Sequence, residues 1–85
     1  MNINEAECDL LNNIRSIFSQ VLNCKIDDID INKSFFEQGG TSIKALQLVA
    51  LLKREISDEI NIHILFDHLS INNLVQFISS SIINK

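Results

Sequence analysis

Residues 35–46 read FFEQGGTSIKAL, in which two glycines and two hydroxyl side chains stand directly before a strongly helical apolar segment. The aromatic pair can anchor the end of a loop in a core, while Gly39 and Gly40 permit positive φ angles and close approach by another molecule. Thr and Ser are favoured where helices start, so Ser42 is predicted to open a helix. The stretch therefore predicts a serine that is presented between a loop and a helix.

The segment before this stretch has helical periodicity. Apolar residues recur at three- and four-residue steps, which predicts a first helix over residues 5–22. Residues 23–41 then form a connection that is long for a compact domain, so we expect it to be functional or to carry its own anchors. The expected anchors are Ile26, Ile29, Phe35 and Phe36.

Three further helices are predicted after the loop, over residues 42–56, 63–68 and 71–83, with Ser70 as the cap of the last one. In that last helix the apolar stripe is Ile71, Leu74, Val75, Ile78 and Ile82, while Asn72, Asn73, Gln76 and Ser79 are expected to face outward. The fold class is therefore all-α. We expect a small four-helix bundle, three longer helices and one short, with a long loop between helices one and two.

Helical phase also predicts which residues of the second helix face solvent. Steps of 100° place Lys44, Gln47, Arg54 and Glu55 on one polar side. Leu51 falls in the middle of that polar side, whereas Val49, Ala50 and Leu52 are expected to point inward. An exposed Leu51 near a presented serine is a candidate docking contact, although an isolated exposed leucine usually has no role.

The size and composition of the chain exclude several classes of function. The 85 residues suit one domain, residues 1–85, which is too small to combine a core with a deep substrate pocket. The net charge of −4 and the scattered Lys and Arg residues disfavour nucleic-acid binding. A membrane span and a signal peptide are not expected, which predicts a cytoplasmic chain. Cys8 and Cys24 match no redox or zinc spacing and are expected to be ordinary reduced thiols.

The loop also contains a partial match to a calcium-binding pattern. Asp28, Asp30 and Asn32 alternate as the first ligands of an EF-hand loop would. Lys33 stands at the sixth position instead of glycine, and Gly39 at the twelfth instead of glutamate. No metal site is therefore predicted.

The stretch at residues 35–46 resembles the attachment motif of acyl carrier domains. Its double glycine, with Ile43 and Lys44 after the serine, resembles the peptidyl carrier branch of nonribosomal peptide synthetases. Residues 65–74, LFDHLSINNL, resemble the closing stretch of the same family, with Leu69 where the family commonly has proline. The resemblance covers nearly the whole chain and implies a small four-helix bundle.

This resemblance implies a carrier that catalyses nothing itself and acts in nonribosomal peptide synthesis, as in antibiotic biosynthesis. A phosphopantetheinyl transferase would move 4′-phosphopantetheine from coenzyme A to Ser42, presented by Gly39, Gly40 and Thr41. The thiol of the arm would then hold an aminoacyl, peptidyl or aryl group as a thioester. The implied partners are an adenylating enzyme and condensation or thioesterase domains, and the chain is expected to be a monomer. Partner contacts are predicted at Ile43, Lys44, Gln47, Leu51 and Leu65.

Three alternatives remain open. A fatty-acid or polyketide acyl carrier would be expected to have an acidic second helix and an Asp before the serine, where this chain has Thr41. A catalytic serine would need His63 or His68 as its base, but neither G-x-S-x-G nor S-x-x-K surrounds Ser42. A structural helical adaptor is the third alternative.

Overall fold

The computed structural model describes the backbone of residues 5–80 and the side chains of residues 8–80. These residues form four α-helices and no β-strand, which confirms the predicted all-α bundle. The helices are α1 (Glu5–Leu22), α2 (Ser42–Glu55), α3 (Ile62–Asp67) and α4 (Ile71–Ile78). Two short 3₁₀ turns, Ile26–Asp28 and Phe36–Gln38, lie in the loop between α1 and α2.

The predicted helix boundaries hold to within one residue where the structure describes them, apart from the end of α4. Helix α2 ends one residue before the predicted end, and α3 starts and ends one residue early. The α-helical part of α4 ends at Ile78, followed by Ser79 and Ser80 in a π-helical turn. Residues 81–83 of the predicted fourth helix, including Ile82, lie outside the described residues. None of the described helices is long and apolar enough to cross a bilayer.

Helix α1 ends where an asparagine replaces the more common glycine. Asn23 has a φ of 57°, and the Cys24 N–H donates to the Ser19 carbonyl at 3.1 Å. A residue with a left-handed conformation directly after a helix reverses the chain, so that the next N–H groups can bond to the last carbonyls of the helix. The long loop therefore leaves α1 in a defined direction.

Polar caps start the two short helices. The Asn61 side chain accepts a hydrogen bond from the Ile64 N–H at 3.0 Å, so α3 begins one residue earlier than predicted. Ser70, the predicted cap of α4, accepts from the Asn73 N–H at 3.2 Å. A side-chain cap satisfies one of the free N–H groups of the first turn. The start of α4 is thus well defined although Leu69 occupies the position where the resemblance led us to expect proline.

Helix α1 packs against α2 and α4, and α2 packs against α3. The predicted stripe of α1 forms one wall of the core, with Leu10, Ile14, Ile17, Phe18, Val21 and Leu22 all buried. Phe18 meets the loop residue Phe35 edge-to-face, with ring centroids 5.5 Å apart.

Phe35 and Ile29 are buried and Phe36 is half-buried, as expected of loop anchors. Ile26 is not an anchor, because it opens an exposed 3₁₀ turn and its side chain is 42% exposed.

The predicted orientation of α2 is partly wrong. Ala50 is exposed instead of buried, and Leu51 is half-buried against the core instead of exposed. Apolar residues occupy most of the circumference of this helix, so periodicity alone fits several rotations about its axis. Contact with α1 and α3 selects one rotation, which buries Ala45, Leu48, Val49 and Leu52.

The predicted outward orientation of Ser79 is also wrong, since this residue is buried. Ser79 lies in the π-helical turn that follows α4. A π turn has more residues per turn than an α-helix, so the 100° steps used for the prediction no longer apply there. The four described residues of the apolar stripe are buried as predicted: Ile71, Leu74, Val75 and Ile78.

Candidate functional site at the amino end of helix α2

The loop that leads to Ser42 is fastened to the junction of α3 and α4. The Phe35 N–H donates to the Leu69 carbonyl at 3.0 Å, and the Asn72 N–H donates to the Ile31 carbonyl at 2.9 Å. The Asn72 side-chain amide also donates to Asn32 Oδ1 at 3.2 Å. These bonds join segments that are far apart in sequence. They give the long connection a fixed path to the start of α2.

A reciprocal pair of hydrogen bonds forms the turn Phe36–Gln38. The Ser34 N–H donates to Glu37 Oε1 at 2.9 Å, and the Glu37 N–H donates to Ser34 Oγ at 3.1 Å. This is the capping-box arrangement of Ser-x-x-Glu, here at the start of a 3₁₀ turn. The spacing is visible in the sequence, but our sequence reasoning did not use it.

Gln38 connects this turn to the earlier part of the loop. Its Oε1 accepts from the Asp30 N–H at 2.8 Å. Its Nε2 donates to the Asp30 carbonyl at 2.9 Å and to the Lys33 carbonyl at 3.1 Å. We call this set of three bonds the Gln38 clasp. A contact at 3.5 Å from Nε2 to the Ser34 carbonyl lies at the limit of hydrogen-bonding distance.

The two glycines are needed for different reasons. Gly39 has a φ of 103°, in the left-handed region, and nothing lies within 4 Å of a Cβ placed there. A Cβ on Gly40 would overlap the Phe35 ring and lie 2.8 Å from the Phe35 carbonyl oxygen. The Gly40 N–H donates to that same carbonyl at 3.1 Å. Gly39 therefore supplies the turn, and Gly40 lets the backbone pass directly over the buried aromatic ring.

Thr41 is the N-cap of α2 and Ser42 is its first helical residue. The Thr41 Oγ1 accepts from the Lys44 N–H at 3.2 Å, and the Thr41 carbonyl accepts from the Ala45 N–H at 2.8 Å. The N–H groups of Ser42 and Ile43 have no hydrogen-bond partner among the described residues. Ser42 is exposed. A phosphate on its Oγ would lie beside free N–H groups at the positive end of the helix dipole.

Two exposed apolar side chains follow Ser42 on α2, and a third lies on α3. Ile43 is 71% exposed, Leu46 is 61% exposed and Phe66 is 48% exposed. Ile43 and Leu46 are three residues apart and so lie on neighbouring positions of the helix. Phe66 stacks on Phe36 with ring centroids 5.8 Å apart, which places it beside the turn that leads to the serine. We call these three residues the apolar surface.

The structure changes the list of predicted partner contacts. Ile43 and Gln47 are exposed, and Lys44 and Leu51 are half-buried. Leu65 is 0% exposed, so the prediction that its side chain contacts a partner is wrong for this conformation. In a short amphipathic helix the inward residue and its neighbour point in different directions, and it is Phe66 that faces solvent. Sequence reasoning missed both Phe66 and Leu46.

The catalytic-serine alternative needs a base beside Ser42. His63 is exposed on α3, and His68 stacks on Phe77 with ring centroids 4.8 Å apart. Within residues 8–80 the Ser42 side chain has no hydrogen bond to either histidine. The geometry gives this alternative no support.

The candidate calcium ligands and the cysteines have ordinary surroundings. Asp30 Oδ1 accepts from the Asn32 N–H at 2.9 Å, which closes a local turn. The described residues contain no group of three or more His, Cys, Asp or Glu side chains that could hold a metal ion. Cys8 and Cys24 are both free and exposed.

Comparison with known proteins agrees with this geometry. A family model described as phosphopantetheine attachment site matches residues 12–78. Bacitracin synthase 3 of Bacillus licheniformis is 40% identical over 65 residues, which are 76% of this chain and 1% of the synthase. Tyrocidine synthase 3 of Brevibacillus parabrevis is 33% identical over 78 residues, which are 92% of this chain and 1% of the synthase. The chain thus spans about 1% of the length of each of these relatives.

A solved structure supports the same fold. A free-standing peptidyl carrier protein from an uncharacterized secondary metabolic pathway of Acinetobacter baumannii superposes with a TM-score of 0.78 and 24% identity. The superposition covers 87% of this chain and 92% of that protein. The chain therefore belongs to the phosphopantetheine attachment family and is a carrier domain similar to those of nonribosomal peptide synthetases.

Proposed function

We propose that Ser42 is the residue to which 4′-phosphopantetheine is attached. The observation that carries the proposal is the combination of an exposed hydroxyl and unpaired N–H groups at the start of α2. Gly39 and Gly40 precede the cap residue Thr41, and Gly39 leaves open space where a side chain would otherwise stand. Family membership supplies the cofactor, since this family attaches 4′-phosphopantetheine covalently.

The attachment step needs only a nucleophilic oxygen from this chain. The Ser42 Oγ would form a bond to the β-phosphorus of coenzyme A, the bond from that phosphorus to the nucleotide would break, and the serine proton would pass to a base on the transferase. The N–H groups of Ser42 and Ile43 would then face the phosphodiester, whose negative charge is favourable at a helix N-terminus. Once bound, the arm supplies a thiol that carries the cargo as a thioester.

The proposed partners are a phosphopantetheinyl transferase, an adenylating enzyme, and condensation or thioesterase domains. The similarity to two peptide synthases supports this set over that of a fatty-acid or polyketide carrier. Thr41 before the serine, and the exposed basic residues Lys53 and Arg54 on α2, agree with this choice. In this proposal the chain carries the group and the partners perform the catalysis. The cytoplasmic location and the monomeric state stay predictions from the sequence.

We also propose that the apolar surface contacts these partners. Ile43 and Leu46 are exposed on the helix that Ser42 begins, and Phe66 is exposed on α3, where it stacks on Phe36. An exposed apolar surface near a modified residue favours protein contact. Gln47 is exposed on the same helix and lines an open groove between α1 and α2 together with the half-buried Leu51. Leu46 and Phe66 therefore replace Leu65 among the candidate contacts.

The proposed attachment residue can be tested by intact-protein mass spectrometry. The wild-type chain, Ser42→Ala and the neighbouring control Thr41→Val are each incubated with coenzyme A and a broad-specificity phosphopantetheinyl transferase. We expect the wild type and the control to gain one phosphopantetheine group and Ser42→Ala to gain none. Loading of Ser42→Ala, or no loading of the wild type by an active transferase, would show that the assignment is wrong.

A further inference from the structure

We propose that Gln38 is a positioning residue for phosphopantetheine transfer, because its side chain holds the turn before Ser42 in one conformation. The proposal rests on Ser42 being the attachment residue. Gln38 itself does not reach the serine. It acts by fixing the backbone that runs through Gly39, Gly40 and Thr41 to Ser42.

The geometry of the clasp uses all the strong hydrogen-bonding groups of a glutamine amide. Its oxygen accepts from the Asp30 N–H at 2.8 Å. Its two N–H groups have acceptors in the carbonyls of Asp30 at 2.9 Å and Lys33 at 3.1 Å. A primary amide has one acceptor oxygen and two N–H donors, so this set matches its capacity. A carboxylate of the same length could accept from Asp30 but could not donate to either carbonyl.

The clasp lies where the backbone has the greatest freedom. Gly39 follows Gln38 directly and has a φ of 103°, and glycine loses more conformational freedom on folding than any other residue. Thr41 fixes the far side of the glycine pair by capping α2. Without the clasp, the near side would be held by the bonds to the Phe35 and Phe36 carbonyls and by the Ser34–Glu37 pair, and none of these ties the turn to Asp30 or Lys33. The clasp thus restricts the chain just before the two glycines.

The clasp is separate from the packing that holds the bundle together. Gln38 is only half-buried, whereas the neighbouring anchor Phe35 is fully buried. The bonds from Phe35 to Leu69 and from Asn72 to Ile31 do not involve Gln38. Loss of the clasp should therefore leave the helices and the loop anchors in place while the approach to Ser42 samples more conformations.

The expected kinetic effect depends on the fraction of carrier molecules in the ordered conformation. If the transferase binds only the ordered conformation, its apparent affinity for the carrier equals its intrinsic affinity multiplied by the fraction of molecules in that conformation. The KM for the carrier should then rise roughly tenfold if the ordered fraction falls to about a tenth. The kcat should change little, because a bound carrier would present Ser42 in the same way as the wild type.

The test compares Gln38→Met, Gln38→Glu and the control Gln76→Met, whose side chain is exposed on α4. Methionine keeps the length of glutamine but makes no strong hydrogen bonds, and glutamate keeps only the acceptor. The KM and kcat of phosphopantetheine transfer are measured at a temperature at which circular dichroism shows each variant fully folded. Amide hydrogen exchange is followed at Asp30 and at residues 39–42.

We expect Gln38→Met to raise KM about tenfold, with kcat within about twofold, and to lose protection of the Asp30 amide. Gln38→Glu should raise KM less and keep part of that protection, and Gln76→Met should match the wild type in both measurements. A wild-type KM for Gln38→Met, or an equal rise for the control, would overturn the proposal. All these variants should still gain the group at Ser42, so failure of this proposal is distinguishable from failure of the attachment assignment.

Discussion

Replacement of Gly40 by alanine tests the close approach between the backbone and Phe35. A Cβ at this position would overlap the Phe35 ring and lie 2.8 Å from the Phe35 carbonyl oxygen. The ring cannot move freely, because it is fully buried and contacts Phe18 and Phe36 at centroid distances of 5.5 and 5.7 Å. The backbone must therefore shift, which would also weaken the hydrogen bond from the Gly40 N–H to Phe35.

The loss of stability has two contributions, the steric overlap with Phe35 and the weakened hydrogen bond. Overpacking of a filled core costs about 1–3 kcal/mol, and loss of a neutral hydrogen bond costs about 0.5–1.5 kcal/mol. We therefore expect Gly40→Ala to lower the free energy of unfolding by about 1.5–4.5 kcal/mol. In a domain of this size each kcal/mol lowers Tm by about 4–8 °C, so the melting temperature should fall by roughly 6–36 °C.

The assay is urea unfolding followed by circular dichroism, with Gly39→Ala as the matched control. An added Cβ at Gly39 meets open space, and its cost is the positive φ alone, about 1–2 kcal/mol. A second control is Gly40→Ala in a Phe35→Leu background, where the smaller side chain should reduce the cost by about 1 kcal/mol. Equal costs for the two glycines, or no coupling to Phe35, would refute the steric explanation.

Three further predictions concern α2. Thr41→Val removes the hydroxyl that accepts from the Lys44 N–H, so it should lower the free energy of unfolding by about 0.5–2 kcal/mol in urea titrations; an unchanged value would mean that the cap contributes nothing. Leu46→Glu should change that free energy by no more than about 0.5 kcal/mol and slow aminoacyl loading by a cognate adenylating enzyme. Leu51→Glu should instead destabilise the half-buried site, because a carboxylate would lose hydration there. Unchanged loading of a stable Leu46→Glu variant would exclude Leu46 as a contact for that enzyme.

The sequence alone determined the features that depend on neighbours within about four residues. The apolar stripe of α1 and the Ser70 cap of α4 follow from helical periodicity and local side-chain bonding, and both are observed. The positive φ and the close backbone approach at the glycine pair before Ser42 were predicted from the same kind of local signal. Such features depend on contacts within one turn of helix, so a linear pattern predicts them.

Tertiary structure decided the remaining features of the site. Helix α2 is apolar around most of its surface, so only contact with α1 and α3 determined that Leu46 is exposed and Leu51 half-buried. The choice between Leu65 and Phe66 as the surface residue of α3 also depended on which face met the core. The Gln38 clasp joins residues eight positions apart through a loop whose path is set by bonds to the α3–α4 junction. A hydrogen bond of this kind exists only once the loop is folded, and no periodic pattern encodes it.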